Sequence, residues 1–401
     1  MDPYNTLIIN CGSSSLKFAV INTQTSECLI QGLAERLGSA QASIKFQVKQ
    51  QSYDLQPETI DHQGAISAVL NALQERDLLS SLNGVGHRVV HGGEAFSQSI
   101  ILNKDILQQL EQLNHLAPLH NPMNILGIQA ITELLPELPQ VAVFDTAFHQ
   151  TLPEQAYLYA LPYDLYEKQG VRRYGFHGTS FRYVSQQAAQ RLNKPLADCH
   201  MLIAHLGNGC SACAIKNGAS VDTSMGLTPL EGLAMGTRCG DIDPGLPAFL
   251  NQRLKMDLNE IMDMLNKKSG LLGLSGLSND MREIQQAAAA GNKRANLALE
   301  IFAFRIARYL GSLAISLPNI DALVFTGGIG ENDKLTRSLI LEHLAILGFT
   351  LDGELNAKNG HGSDIQGRIS TSNSKLALVI ATNEELMIAQ DTQALVSKAS
   401  I

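Results

Sequence analysis

Apolar positions along the chain fall into short runs that alternate with glycine-rich or polar segments. The apolar run at 201–204 is followed by Gly-Asn-Gly at 207–209 and by a second apolar run at 213–215. Two apolar runs joined by such a turn predict a β-hairpin, and glycines in the turn let backbone N–H groups approach a bound anion. The segment 7–21, with Gly-Ser-Ser-Ser in its middle, repeats this design near the start of the chain. The two hairpins suggest one architecture used twice.

The elements between and after the hairpins follow the same order in both halves of the chain. Short apolar or alternating runs predict strands, and apolar positions at helical spacing predict helices. The repeated order favours an α/β protein made of a duplicated domain pair with a cleft between the domains. A Thr-Leu-Pro sequence at 151–153 places the boundary near residue 150. Besides the hairpins at 7–21 and 201–216, the predicted strands are 42–48, 85–93, 140–145, 321–326 and 376–381. The predicted helices are 66–73, 121–135 with Asn121 as N-cap, 259–265, 293–316, one from about 333 after a glycine turn at 327–330, and a closing helix.

The composition is that of an ordinary globular protein. The chain has 401 residues, of which 45% are hydrophobic and 17% charged, and a chain of this length usually divides into two domains. The net charge of −8 argues against a general nucleic-acid binder. Arg305 and Arg308 interrupt the longest apolar stretch before it reaches the about 18 residues that a membrane span needs. The N-terminal residues have no secretory pattern, so we expect a cytoplasmic protein without membrane attachment.

The six cysteines do not have the spacing of a disulfide framework, which favours a reduced, cytoplasmic state. Cys210 and Cys213 form a C-x-x-C sequence, which suits either a zinc or redox pair or two small residues in a strand. Strand residues three positions apart point to opposite faces, and no second Cys/His pair lies nearby. We therefore favour the two small strand residues.

Three glycine- or serine-rich turns stand at the ends of predicted strands, at 11–15, 207–210 and 326–330. Each is a weak signal by itself, because many glycine turns only reverse the chain. None is a P-loop or a G-x-G-x-x-G fingerprint. The Gly-Gly-Ile-Gly-Glu-Asn sequence at 327–332 would direct backbone donors toward a phosphate. Together the three turns favour nucleotide binding, because a phosphate chain needs several convergent donors.

Phosphoryl transfer also needs positive charge along the path of the transferring group, and a metal or polarising carboxylate. Arg88, Arg238 and His177 are candidates for the charge, and Asp145 and Glu384 for the carboxylate. Each also has a simpler interpretation. Arg88 can pair with a strand neighbour, the loops of Arg238 and His177 would suit a surface, and a carboxylate can serve a turn or a helix N-terminus. The residues alone leave these alternatives open.

A series of motifs, in order and over the whole chain, resembles the acetate kinase family, the acetokinase branch of the superfamily of actin-like, sugar kinase and heat-shock ATPases. The motifs lie at 10–18, 87–93, 144–149, 174–180, 205–209, 226–232, 236–238 with 240–244, and 326–332. The resemblance implies reversible transfer of the γ-phosphate of ATP to acetate, giving acetyl phosphate and ADP. It implies duplicated ribonuclease-H-like domains with a nucleotide cleft between them. It further implies Mg²⁺, for which Mn²⁺ can substitute, and a homodimer.

The resemblance also assigns domains and residues. Residues 1–150, with a C-terminal helix at about 386–401, would form the metal and acetate domain, and 151–385 the ATP domain. Asn10 and Glu384 would bind Mg²⁺, Arg88 would bind the acetate carboxylate, and Asp145 matches the family's catalytic acid/base. His177 and Arg238 would stabilise the transition state. The ATP contacts would be Lys17, His205, Leu206, Gly207, Asn208, Gly209, Asp280, Met281, Arg282, Gly328, Ile329, Gly330, Glu331 and Asn332, and the methyl pocket would be Val90, Leu119, Phe176 and Pro229.

Physical reasoning qualifies one of these roles. Acetate is already ionised at neutral pH and its attacking oxygen needs no base, so we expect Asp145 to orient Mg²⁺ or an arginine.

A propionate or butyrate kinase of the same family is an alternative, because a pocket distinguishes one methylene by only about 1–3 kcal/mol. A non-catalytic ATP-binding switch is less favoured, since a switch has no need to grip a carboxylate.

The chain departs from the family pattern at a few positions. Cys11, Cys210 and Cys239 stand where small residues such as alanine or serine are usual, each beside a phosphate-facing motif. We therefore expect a thiol reagent to inactivate the enzyme and ATP to protect it. Phe181 replaces the usual histidine after Gly-Thr-Ser, and the sequence offers no account of this change.

Overall fold

The computed structural model describes residues 3–57 and 59–399. The chain divides into two compact units, Met1–Phe148 with Asn383–Ile401, and His149–Thr382. The parts of the expected domain ranges that fall on residues 1, 2, 58, 400 and 401 lie outside the described residues. The expected α/β class is confirmed, because each unit is built on a mixed sheet against which helices pack.

The first unit is organised around a central strand whose middle residues are apolar on both faces. Leu7, Ile8 and Ile9 are at most 1% exposed, which is typical of a central strand covered by helices on each side. Gly86 lets the closing helix approach its strand, since a Cβ there would lie 2.5 Å from Ile388. The elements are β1 (Asn5–Cys11), β2 (Ser15–Asn22), β3 (Glu27–Glu35), β4 (Ser43–Val48), β5 (Gln51–Leu55), α1 (His62–Gln74), β6 (Leu82–Val89), β7 (Ile100–Ile101), α2 (Lys104–Gln112), α3 (Asn121–Leu134), β8 (Gln140–Phe144) and the closing helix (Glu384–Ala399).

The strand order of this sheet, among the described residues, is β5-β4-β3-β2-β1-β6-β8-β7. The predicted hairpin at 7–21 is confirmed: β1 and β2 are antiparallel, with Cys11 opposite Leu16. β1, β6 and β8 run parallel. Their carboxyl ends therefore meet at one edge of the sheet, where open α/β sheets place their ligands.

The second unit has a sheet of order β11-β10-β9-β12-β13 in the part of the chain described. The predicted central hairpin is confirmed, because β9 and β10 are antiparallel with Leu206 opposite Cys210. β12 pairs in parallel with both β9 and β13. The elements are α4 (Glu154–Tyr157), α5 (Tyr163–Gln169), α6 (Gly178–Arg191), β9 (His200–Leu206), β10 (Cys210–Lys216), β11 (Ala219–Thr223), α7 (Leu246–Leu254), α8 (Leu258–Lys267), α9 (Gly270–Ser275), α10 (Met281–Ala289), α11 (Lys293–Leu313), β12 (Ala322–Thr326), α12 (Gly327–Asn332), α13 (Lys334–His343), α14 (Gly353–Ala357) and β13 (Leu376–Val379).

Two local predictions were wrong. Asn121 does not cap α3, since His120 occupies the N-cap position. The Asn121 side chain instead accepts from His91 N at 3.1 Å and donates to His91 O at 2.9 Å, so a tertiary contact takes the amide away from its own helix. The predicted glycine turn at 327–330 is helical. Gly327, at φ +76, makes the turn alone, because a Cβ there would lie 2.8 Å from Leu206 O.

No helix within residues 3–57 and 59–399 combines the length and the apolar character needed to cross a membrane. The 21-residue α11 is the longest helix among the described residues, and its buried positions follow one face. It therefore packs as an ordinary amphipathic helix.

Two buried histidines predict acid destabilisation. Burial lowers the pKa of His87 from 6.5 to about 4, although its hydrogen bond to Gln140 raises it slightly, and burial, with Arg173, lowers that of His149 to about 3. The unfolded chain takes up these protons near pH 6.5 while the folded protein does not, so their stabilising contribution is complete above pH 6.5 and is lost as pH falls. We expect about 2 kcal/mol less unfolding free energy per histidine at pH 5 than at pH 7.5.

Urea unfolding of the wild type, His87→Gln and His115→Gln at the two pH values checks this prediction. His115 is exposed and serves as the control. The His87 variant should show a shallower pH dependence than the control variant. An unchanged slope in His87→Gln would contradict the assignment.

Candidate functional site

A guanidinium and a carboxylate meet at the sheet edge of the first unit. Arg88 lies near the end of β6, and Asp145 follows β8 directly. Arg88 Nε donates to Asp145 Oδ2 at 3.0 Å, and Nη2 donates to the same oxygen. Asp145 is 1% exposed and the Arg88 side chain 23%. Burial opposes the charge of Arg88, but Asp145 and then Glu384 raise its pKa. The structure therefore holds a charged arginine in a fixed orientation at this edge.

A small cavity of about 20 Å³ adjoins this pair, and Asn10, Lys17, Arg88, Glu384 and Glu385 are among its lining residues. Its volume suits one water molecule or one ion. Asn10 Oδ1 accepts from Arg88 Nη1 at 3.3 Å. Burial, followed by the neighbouring Asp145 carboxylate, raises the pKa of Glu384 to about 7, while Arg88 lowers it. Sequence-predicted residues for the metal, for ATP and for acetate thus lie together in the first unit.

The side-chain oxygen atoms that line this cavity fit a hard cation in part. Asn10 and Glu384 offer the oxygen ligands that Mg²⁺ prefers. Within the described residues no group of three or more His, Cys, Asp or Glu side chains is placed to hold a metal. A magnesium ion here would therefore take its other ligands from water and substrate phosphates, which is its usual behaviour in nucleotide sites.

A second cluster of polar side chains, including the guanidinium of Arg238, surrounds the central hairpin of the second unit. A Cβ on Gly209 would lie 3.5 Å from both Arg238 Nη1 and His177 Nε2, so the hairpin glycine lies directly against them. The His177 ring stacks on His205 with centroids 4.4 Å apart. His177 Nδ1 contacts Ser211 Oγ at 2.9 Å. The peptide bond between Phe176 and His177 is cis.

Arg238 differs from Arg88 in its partners. Its Nη1 donates to Pro229 O at 3.0 Å, and it has no carboxylate partner among the residues that the structure describes. Burial lowers its pKa. The hydrogen bond from Gly236 N to Asn208 O, 2.9 Å long, ties its loop to the hairpin tip. A half-buried guanidinium without a counter-charge is well suited to an incoming anion.

The second unit also contains a cleft of about 620 Å³. This volume lies within the range of small-molecule sites. Its lining comprises Gly207, Asn208, Asn279, Asp280, Met281, Arg282, Gln285, Gly328, Ile329, Asn332 and Asp333. Most of these residues were expected to contact ATP from the sequence, whereas Asn279, Gln285 and Asp333 were missed.

The other expected ATP residues of this unit do not line the cleft. Leu206 is fully buried in β9, and His205 Nδ1 contacts Ser180 Oγ at 2.8 Å. Glu331 Oε1 accepts from Gly327 N at 2.9 Å and Thr382 N at 3.0 Å, so its carboxylate supports the backbone. The remaining two are Gly209, which lies against Arg238 and His177, and Gly330, whose carbonyl accepts from Arg337 at 2.9 Å.

The residues expected around the acetate methyl group belong to different units. Val90 is buried and Leu119 is 71% exposed in the first unit. Phe176 is buried and Pro229 half-buried in the second. Their roles in substrate binding stay a prediction.

No role was predicted for Asn124, which joins the strand ends that carry the first-unit site. Its Oδ1 accepts from Val90 N at 3.0 Å, and its Nδ2 donates to Cys11 O at 2.8 Å. The side chain is 2% exposed. The position of Asn124 on the apolar face of α3 could have identified it in the sequence, because a buried amide needs hydrogen-bond partners.

The structure argues against the expected thiol sensitivity. Cys11 and Cys210 are buried, and burial raises the pKa of each to about 12. Cys239 is half-buried, and burial raises its pKa as well. Because the thiolate is the reactive form, such thiols are inert. We therefore expect a bulky disulfide reagent to modify the exposed Cys28 first, without loss of activity. Thiol titration of the native wild type and Cys28→Ser, with activity followed in parallel, checks this, and inactivation that ATP prevents would contradict it.

Phe181 now has a structural account. It is fully buried in α6 and packs edge-on against His149, with centroids 5.6 Å apart. Its ring therefore belongs to the core beneath the His177 segment, and it makes an apolar contact where a second imidazole would need polar partners.

Comparisons with known proteins show the family to which the sequence is similar. The sequence matches the family model described as "Acetokinase family" over residues 5–390. It is similar to an acetate kinase of Stutzerimonas stutzeri, with 53% identity covering 98% of this chain and 99% of the relative. An acetate kinase of Ectopseudomonas mendocina is 54% identical, covering 98% of this chain and 100% of the relative.

Two solved structures are similar over the same extent. A propionate kinase from Francisella tularensis superposes with a TM-score of 0.93 at 48% identity, covering 98% of this chain and 100% of the other. An acetate kinase from Porphyromonas gingivalis superposes with a TM-score of 0.92 at 42% identity, with the same coverage.

Proposed function

The chain belongs to the acetokinase family, and from this premise we propose that its two clusters of charged groups carry the reversible transfer of the γ-phosphoryl group of ATP to acetate. The enzyme is a phosphotransferase with acetate kinase activity. The observation that supports the proposed site is the contrast between two guanidinium groups. Arg88 is held by a buried carboxylate, whereas Arg238 has no carboxylate partner among the described residues.

Arg88 binds the acetate carboxylate. Asp145 occupies one side of the guanidinium through Nε and Nη2, and Nη1 makes only a long contact to Asn10. Asp145 thereby fixes the plane of the guanidinium, and fixed donors lose less entropy when they bind a carboxylate. Because acetate attacks as an anion, Asp145 acts by orienting Arg88 and takes no proton.

Arg238 and His177 stabilise the charge that develops during transfer. An acetate oxygen forms a bond to the γ-phosphorus while the bond to the β,γ-bridging oxygen breaks, and that electron pair stays on ADP. The transferring group is loosely bonded and anionic, so positioned cationic donors lower the barrier. Asn10 and Glu384 would hold Mg²⁺, which when bound neutralises phosphate charge. The cleft of about 620 Å³ accommodates the nucleotide.

A propionate kinase is the second candidate, because one similar solved structure is described as a propionate kinase. A pocket distinguishes one methylene by only about 1–3 kcal/mol. Both acids can therefore be substrates of one site with different efficiency.

One assay tests the proposed function. ATP and Mg²⁺ are supplied with acetate, propionate or butyrate, and the acyl phosphate is trapped with hydroxylamine. The expected result is the highest kcat/KM with acetate. Absence of acyl phosphate with all three acids would refute the proposal, and a preference for propionate would favour the second candidate.

We further propose a cytoplasmic homodimer. The second unit exposes large apolar side chains on α7 and α8, among them Phe249, Leu254 and Leu258, which are 57%, 63% and 69% exposed. Such groups often mark an association surface. Sedimentation velocity should show a dimer, and a monomer at all concentrations would refute this part.

A further inference from the structure

The nucleotide cleft contains one polar side chain whose orientation is fixed by a second residue. Gln285 lies in α10, is half-buried and lines the cleft. Its Nε2 donates to Asp333 Oδ2 at 2.6 Å. Neither residue was expected from the sequence to contact ATP.

Asp333 can only receive this hydrogen bond. Its carboxylate is the N-cap of α13, where Oδ1 accepts from Leu335 N at 3.0 Å and Thr336 N at 3.2 Å. Its Oδ2 accepts from Thr336 Oγ1 at 2.5 Å. A carboxylate has no hydrogen to offer, so it must face the amide nitrogen of Gln285 and not the amide oxygen. The assignment of the two amide atoms therefore follows from the network.

This arrangement leaves Gln285 Oε1 as an acceptor that no donor among the described residues uses. Gln285 is four positions after Met281, so both lie on the same face of α10, and both line the cleft. Met281 and Ile329 supply apolar surface in the same cleft, which suits the face of a base. A base lying on Met281 would bring its polar edge within reach of Gln285.

An acceptor that faces the 6-position of a purine discriminates between bases. Adenine carries an amino group, a donor, at the purine 6-position, whereas guanine and hypoxanthine carry a carbonyl oxygen, an acceptor, there. Two acceptors cannot form a hydrogen bond, and a site built to bond one group rejects the analogue that lacks it.

We propose that Gln285 selects 6-aminopurine nucleotides through its Oε1 atom, and that Asp333 is the positioning residue that sets the amide orientation. The inference rests on the proposed function, in that it concerns the nucleotide of that reaction. It names adenosine nucleotides as the preferred phosphoryl donors over 6-oxopurine nucleotides.

Two variants test the proposal, with ATP and inosine triphosphate as phosphoryl donors at saturating acetate and Mg²⁺. Gln285→Leu removes the acceptor at similar size, and the ratio of kcat/KM for ATP over inosine triphosphate should fall by roughly 10- to 100-fold. Gln286→Leu is the matched control, because Gln286 is exposed on the same helix and does not line the cleft. It should keep the wild-type ratio.

Asp333→Asn gives the sharper outcome. The oxygen of the introduced asparagine can still cap α13. The amide nitrogen of that asparagine would donate to Gln285 Oε1, and this would turn Gln285 Nε2 into the cleft. Gln285 would then present a donor to the base. The ratio of kcat/KM for ATP over inosine triphosphate should therefore fall further than in Gln285→Leu. A loss of thermal stability with an unchanged ratio in both variants would overturn the proposal, and if Asp333→Asn does not fold, Gln285→Leu decides.

A binding measurement separates this inference from the proposed function. Calorimetric titration with ADP and inosine diphosphate should show the wild type preferring ADP and Gln285→Leu losing that preference, whether or not acetate is phosphorylated. Failure of the wild type to phosphorylate any of the three acids would refute the proposed function alone. Equal affinity of the wild type for both diphosphates would refute the selection by Gln285.

Discussion

Replacing Arg238 by alanine is expected to lower kcat by roughly 1,000-fold while the KM for acetate changes only a few-fold. A cationic donor that acts on the transferring phosphoryl group contributes about this much when its site is closed to water. Arg238 suits this role because it is half-buried beside Gly209 and His177 and has no carboxylate partner among the described residues. Its charge is therefore available to the developing negative charge.

Steady-state kinetics of Arg238→Ala, Arg238→Lys and Arg308→Ala check this expectation. Lysine keeps the charge but loses the planar fork, so an intermediate kcat is expected. Arg308 is exposed on α11, and its variant should behave as the wild type. A rise in the KM for acetate with an unchanged kcat would contradict the assignment, because it would mean that Arg238 binds the ground state.

Replacing Arg88 by alanine is expected to raise the KM for acetate by about 100-fold, with a smaller effect on kcat. Loss of a charge-assisted contact to a partly buried carboxylate typically costs 2–5 kcal/mol, which covers this factor. The same change leaves Asp145, 1% exposed, without its guanidinium partner. We therefore also expect about 3–5 kcal/mol of destabilisation.

The double variant Arg88→Ala/Asp145→Asn separates the two effects. Removing the buried negative charge should restore much of the lost stability but none of the affinity for acetate. Thermal unfolding and the KM for acetate are measured on both single variants and on the double variant. Recovery of both quantities together would mean that Arg88 serves only the fold.

Local pattern was sufficient for both hairpins and for strands β4, β6, β8, β12 and β13, but it missed β3, β5, β7 and β11. The hairpins β1–β2 and β9–β10 follow from apolar runs and turn residues, whose preferences depend on near neighbours. The parallel pairing of β1, β6 and β8 was not predicted. The same reasoning failed at Asn121 and Gly327. There a contact with a distant segment, His91 or Leu206, decided the local conformation.

Composition left the loops of Arg238 and His177 equally suited to a surface or a site. The structure places Arg238 and His177 against the same hairpin glycine, Gly209, which favours the site. No sequence spacing predicts this contact, because the three residues come from separate segments. The pairing of Arg88 with Asp145, 57 positions apart, is of the same kind.

The sequence by itself determined the α/β class, the two glycine-tipped hairpins and, through its motifs, the family to which the chain belongs. These properties depend on periodicity, on residue type and on the order of short segments, all of which are written along the chain. The tertiary structure alone decided that Asp145 holds Arg88, that Arg238 donates to Pro229 O and to no carboxylate among the described residues, and that Gln285 turns its oxygen away from Asp333. Each of these depends on which polar atoms come within hydrogen-bond distance once distant segments have packed. A hydrogen bond is specified by distance and angle and not by composition.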